Sequence, residues 1–134
     1  MPLPKLMERV TGIGGIFLKA RAPKTLAAWY RDHLGVPIEQ DQTYATFVAG
    51  ADSETPEMTV WSSFPEDTTY FGPSDTPFMV NYRVANLDAM LAQLRAAGAT
   101  VEEKVEDFEY GRFGWASDPE GNRFELWEPK GPGF

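Results

Sequence analysis

The chain has no cysteine, a single histidine and no long apolar run. Without cysteine there is no disulfide framework, no thiolate metal centre and no thiol nucleophile. With His33 alone, neither a histidine-based metal site nor a Ser-His-Asp triad is expected within one subunit. His33 stands just before Leu34-Gly35 at the end of a helical pattern, where the helix dipole favours a cation, so it is expected outside any central site. No apolar stretch approaches the roughly 20 residues that cross a bilayer. The first ten residues lack the apolar centre and the cleavage site of a secretory signal. No membrane partner is expected, and the cytoplasm is the expected compartment. Positive charge is also scarce, with 12 Lys and Arg against 20 Asp and Glu, a formal charge of −8 and a pI near 4.6. No basic cluster stands out, so nucleic acid is not an expected partner. A negative field favours neutral or cationic small ligands over polyanions.

What is present reads as one domain over residues 1–134, built from two similar halves. Residues 13–20 form an apolar run fit for a strand. After Pro23, residues 25–34 carry Leu26, Trp29, Tyr30 and Leu34 at helical spacing, and Gly35 suits the stop. Residues 43–49 and 57–64 read as strands. The second half repeats the order: a strand at 78–84, Asn86 as a helix cap, a helix over 87–97 with Leu87, Met90, Leu91 and Leu94 on one face, then strands near 99–104 and over 111–128. Asp118-Pro119-Glu120-Gly121 is turn chemistry between the last two strands. The expected order of each half is β-α-β-β-β, with the first module at about 12–64, a linker at 65–77 rich in Pro, Asp, Thr and Gly, and the second module at about 78–129. One such module leaves a sheet edge bare, whereas two in one chain can pair edges and enclose a cup. The fold class expected is α+β, two modules in tandem forming a curved mixed sheet around that cup.

Trp29-Tyr30-Arg31-Asp32-His33-Leu34-Gly35, Val84-Ala85-Asn86-Leu87-Asp88 and Asp118-Pro119-Glu120-Gly121-Asn122-Arg123-Phe124-Glu125-Leu126-Trp127, in this order and spacing, resemble the vicinal oxygen chelate superfamily of glyoxalases, bleomycin-resistance proteins and dioxygenases. The resemblance spans about 13–129. It implies four metal-ligand positions in the cup, which by counting from helix landmarks fall on Gly15, Thr59, Met79 and Glu125. Glycine offers no ligand, Met a soft thioether and Thr a neutral hydroxyl, so Glu125 lacks the companions that a divalent site needs. No metal and no other cofactor is expected. The alternative is a divalent ion involving Glu125, with ligands from a second chain.

Strand alternation assigns the cup walls. Phe17, Trp61, Met79, Asn81, Phe113, Trp115, Glu125 and Trp127 are the expected ligand-binding residues, Glu125 being also the candidate catalytic group. Apolar walls with sparse polar anchors are the usual form of a small-molecule site. The function expected is binding of a small planar or cationic organic ligand, as the resemblance to the bleomycin-resistance branch implies, in a homodimer. The alternative is an enzyme, either a lyase, a dioxygenase or an isomerase or epimerase, that uses Glu125 with or without a metal.

Overall fold

A computed structural model of the chain describes residues 8–72 and 75–131. Residues 1–7, on which most of the absent-signal expectation rests, lie outside that set, as do linker residues 73–74. The elements run β1 (Val10–Ala20), α1 (Pro23–Leu34), β2 (Tyr44–Ala49), β3 (Glu57–Pro65), β4 (Phe78–Val84), α2 (Leu87–Ala96), β5 (Thr100–Phe108), β6 (Gly111–Ser117) and β7 (Arg123–Pro129). All seven strands join one mixed sheet in the order β2-β3-β1-β4-β7-β6-β5. The opening strands β1 and β4 meet antiparallel at the centre, and each pairs in parallel with the closing strand of its own half, β3 or β7. The sheet is open and curved, with both helices packed on one face and the cup on the other.

The second half follows its sequence pattern closely. Asn86 accepts a hydrogen bond from the Ala89 N–H at 3.0 Å, capping α2. Leu87, Met90 and Leu91 are buried with Val84 and Leu126 beneath the sheet. Each such side chain stabilises the fold by about 1.5–3 kcal/mol through the apolar area taken from water. In the final turn Asp118 Oδ1 accepts from the backbone N–H groups of Glu120 and Asn122, both at 2.9 Å. Hydrogen bonds from Asn122 and the turn backbone hold the Asp118 carboxyl below its ordinary range.

The first half departs from the expected order. The three strands read there from the sequence form, the fourth that the repeat order implies does not, and the stretch ahead of β2 contains Pro37, with no N–H to donate, and Asp41 in the left-handed region at φ 63°. Helix α1 starts with Pro23 in its first turn, and the chain leaves it at Gly35. Its buried residue is Ala27, which packs with Ile38 and Ala45, with Trp61 against them. Trp29 and Leu34, expected on the inner face with Leu26 and Tyr30, are exposed instead. The small Ala27 lets the helix approach the sheet on that side, and Tyr30 covers Trp61 at 4.8 Å between ring centroids.

Candidate ligand site: a buried carboxylate in an aromatic cup

One cross-sheet row defines the cup floor. Val60 pairs with Gly15, Gly15 with Asn81, Asn81 with Glu125, and Glu125 with Trp115. A register shift between Ile13 and Gly15 marks an irregularity in β1 at Gly14. A Cβ at Gly14 would lie 2.2 Å from Asn81 Oδ1 and 2.8 Å from the Trp127 ring. Only glycine lets the β1 backbone come this close to both side chains.

Glu125 is 1% exposed. Its carboxylate accepts three side-chain hydrogen bonds, from the Asn81 amide at 2.6 Å, from the Trp115 indole N–H at 2.9 Å and from the Tyr70 hydroxyl. Burial pushes the Glu125 carboxyl above its ordinary value, against the opposing pull of those three donors and of the Arg123 charge. Burial, and then the charge and hydrogen bond of Glu125, raise the Tyr70 hydroxyl as well. Tyr70 therefore stays protonated as a donor. Among the described residues, Asn81 Oδ1 is buried without a hydrogen-bond partner.

Phe17, Phe71, Met79, Phe113, Trp115 and Trp127 form the apolar cluster around this carboxylate. Phe113 stacks on Trp127 at 5.9 Å and 4°. A cavity of about 170 Å³ remains, lined by Gly14, Phe17, Val60, Tyr70, Asn81, Phe113, Glu125 and Trp127. Two arginines brace the walls. Arg83 lies 4.8 Å from the Trp127 ring and donates to the Met58 carbonyl at 2.8 Å. Arg123 forks onto Glu102 at 2.6 and 2.8 Å, stacks over Trp115 at 5.2 Å and donates to the Tyr70 carbonyl at 2.5 Å.

Of the residues expected in the cup, Phe17, Asn81, Phe113, Glu125 and Trp127 line the cavity, while Met79 and Trp115 pack in the cluster behind them. Trp61 does not belong there. On β3 the even-numbered side chains Met58, Val60 and Phe64 face the cup cluster, so Trp61 lies on the opposite face under α1. Thr59 shares that displacement, since successive strand residues alternate faces, and its hydroxyl donates to the Ile13 carbonyl. Met79 faces the cup but sits two residues from the floor row, where Asn81 stands. The four floor positions are thus Gly15, Val60, Asn81 and Glu125. His33 lies exposed at the end of α1 against Trp29.

Tyr70 and Phe71 were not expected in the site. Both come from the 65–77 linker, whose Pro, Asp and Thr content reads as a polar connector. The Tyr70-Phe71 pair is its only aromatic doublet before Phe78, and that doublet was the available signal. Gly72 makes their insertion possible. It takes φ 83°, and a Cβ there would stand 2.6 Å from the Arg123 side chain.

Within one chain the floor row offers few donors to a divalent ion. The floor row supplies one carboxylate, one amide oxygen, one glycine and one valine, whereas such an ion in a catalytic site takes about three protein ligands. Among the described residues no three of His, Cys, Asp and Glu converge. Among the same residues, no helix is long and apolar enough to cross a membrane.

The curved mixed sheet with two covering helices and a central cup defines a protein of the vicinal oxygen chelate class. Residues 15–127 match the glyoxalase-like domain family, and the chain belongs to it. Among solved structures it is similar to methylmalonyl-CoA epimerase from Mycobacterium tuberculosis, at 22% identity and TM-score 0.58, covering 96% of this chain and 94% of that one. It is also similar to a Streptomyces coelicolor methylmalonyl-CoA epimerase variant in complex with 2-nitronate-propionyl-CoA, at 16% identity and TM-score 0.64, covering 92% and 100%. A glyoxalase/bleomycin resistance protein/dioxygenase superfamily member from Vibrio splendidus 12B01 aligns at 14% identity and TM-score 0.54, covering 90% and 98%. At these identities the likeness is one of fold. No curated protein sequence matches the chain significantly.

Proposed function

We propose that this protein is a metal-independent binder of a small planar or cationic organic molecule, held in the cup against Glu125. The observation that carries this is the pairing of a 1% exposed carboxylate with aromatic walls. Phe17, Phe113 and Trp127 offer ring faces for stacking and cation–π contact. Near the floor, Asn81 Oδ1 has no donor among the described residues and Glu125 is an acceptor when ionised. A ligand that donates hydrogen bonds or carries positive charge complements both. The floor donors argue for independence from metal, and elemental analysis of the purified protein tests it. A stoichiometric divalent ion lost on Glu125→Ala substitution would overturn that part.

Binding is tested with the N,N,N-trimethylanilinium cation, a planar ring with a fixed positive charge. It should raise the melting temperature in a concentration-dependent way, as any ligand that prefers the native state must. Glu125→Gln should weaken its affinity about tenfold, equivalent to about 1.4 kcal/mol. No stabilisation by this or related planar cations would count against the proposal. The family resemblance adds a homodimer in the cytoplasm to the same proposal. The exposed Tyr44 and Val48 on edge strand β2 support the dimer, and light scattering on the intact chain tests it.

One observation favours a second reading. Burial raises the proton affinity of Glu125, which brings a carboxylate toward the range useful for general acid–base work. An isomerase or epimerase would use Glu125 to take and return a proton beside a carbonyl. Solvent deuterium incorporation into methylmalonyl-CoA, the substrate named for the structural neighbours, tests it. Incorporation abolished by Glu125→Gln would favour catalysis over simple binding.

A further inference from the structure

The polar anchor of the cup is already engaged by the chain itself. The Tyr70 hydroxyl donates to Glu125 Oε2. Its ring stacks on Phe64 at 5.4 Å and 4°, and meets Trp115 edge-on at 6.4 Å and 89°. Flat aromatic contact on one side, an edge contact on another and a carboxylate at the hydroxyl end form the complete recognition chemistry of a phenol.

Tyr70 is nevertheless unlike a core residue. It is 37% exposed, while its neighbour Phe71 is 1% exposed. Phe71 seats the connector, and Tyr70 adds a ring at the cup mouth. The backbone around it is held without help from that ring. Arg123 binds the Tyr70 carbonyl, the Thr68 N–H bonds the Pro65 carbonyl at 3.0 Å, and the Gly72 N–H bonds the Thr69 carbonyl at 3.0 Å. These backbone contacts do not pass through the ring. The space beside it, about 170 Å³, is below the roughly 300–1,000 Å³ of most small-molecule sites. Removing the ring enlarges it and frees one Glu125 acceptor position.

We propose that Tyr70 is a built-in stand-in for the ligand, and that the cup takes a phenol-class aromatic whose ring and hydroxyl displace those of Tyr70 and donate to Glu125 in its place. The proposal rests on the cup being a small-molecule site and names the ligand class of that site. Tyr70 is then a specificity-determining residue that competes with every ligand. The apparent affinity of the wild-type protein is lowered by the fraction of molecules in which the ring is out.

The probes are 4-methylphenol, toluene and the trimethylanilinium cation, used with the full chain. In protein labelled with 3-fluorotyrosine, Tyr70 is one of five tyrosines, and its resonance is assigned by its loss in Tyr70→Phe. Saturation of the wild-type protein with 4-methylphenol should move that resonance toward the solvent-exposed position. Tyr70→Ala should bind 4-methylphenol at least tenfold more tightly than wild type does. It should also prefer 4-methylphenol to toluene, and adding Glu125→Gln should remove that preference. If 4-methylphenol binds while the Tyr70 resonance stays fixed, the proposal is wrong, whatever Tyr70→Ala does. Should Tyr70→Ala fail to fold, the resonance experiment on wild type decides alone. If trimethylanilinium binds and 4-methylphenol does not, the stand-in role falls and the small-molecule site survives. If neither binds wild type or Tyr70→Ala, both fall.

Discussion

Glu125 keeps its carboxyl under three donors and a nearby guanidinium, yet desolvation still dominates and lifts its proton affinity in the folded state. The consequence for stability has a definite sign. Below about pH 4 the carboxyl is protonated in both states and folding pays nothing for it. As pH rises, the unfolded chain ionises first while the folded chain still holds its proton, so the equilibrium moves toward unfolding until the folded carboxyl has also ionised. Glutamine at the same position does not titrate. Urea melts of wild type and Glu125→Gln at pH 4, 5.5 and 7 should therefore show the variant gaining on wild type as pH increases. A flat or inverted difference would mean that the donors outweigh burial. At this scale the sequence was partly legible. Glu125, Trp127 and Asn81 follow from alternation on well-patterned strands. Tyr70 does not, because a residue outside any periodic element carries no signal for the side of the sheet on which it will lie.

Among the elements, α2 and β7 were readable because several local cues agree. Asn86 caps, four apolar residues recur at helical spacing, and Asp118 closes the turn before β7. The cap gives a direct check. Asn86→Ala should cost about 1 kcal/mol in chemical denaturation, since the Ala89 N–H loses its side-chain acceptor. Where cues conflict, the pattern misleads. In β3 every residue from Met58 to Phe64 is apolar or a small hydroxyl, so the face pointing into the cup is not marked by polarity. Register there is fixed by the pairing of Val60 with Gly15, a long-range fact, and a slip of one exchanges Trp61 for Val60. Helix α1 misleads for a related reason, as its large residues Trp29 and Leu34 are exposed while small Ala27 makes the contact.

For the whole molecule, the two halves are not independent units. β1 pairs with β4 at the centre of the sheet, and the cup cluster takes Phe17 from the first half, Phe71 from the connector and Met79, Phe113, Trp115 and Trp127 from the second. Cooperative, two-state unfolding is the expected behaviour. Tryptophan fluorescence, which samples Trp29 and Trp61 in one half and Trp115 and Trp127 in the other, should trace the same transition as far-ultraviolet circular dichroism. Two separated midpoints would show that one half survives the loss of the other. The internal repeat made the twin arrangement visible in the sequence. The same repeat implied a fourth strand in the first half that does not form, while the residue pattern itself marked only the three that do.

The aromatic ring that fills the mouth of the cup is carried by the connector, not by any strand. The strand residues that shape the cavity, Phe113 and Glu125 among them, also sit in the pairing ladder of the sheet. Position 70 lies outside that ladder, so the part of the chemical preference that we assign to it is encoded apart from the strands that carry Phe113, Glu125 and Trp127. One replacement at position 70 could redirect this scaffold to a different class of compound while leaving every rung of the sheet as it is.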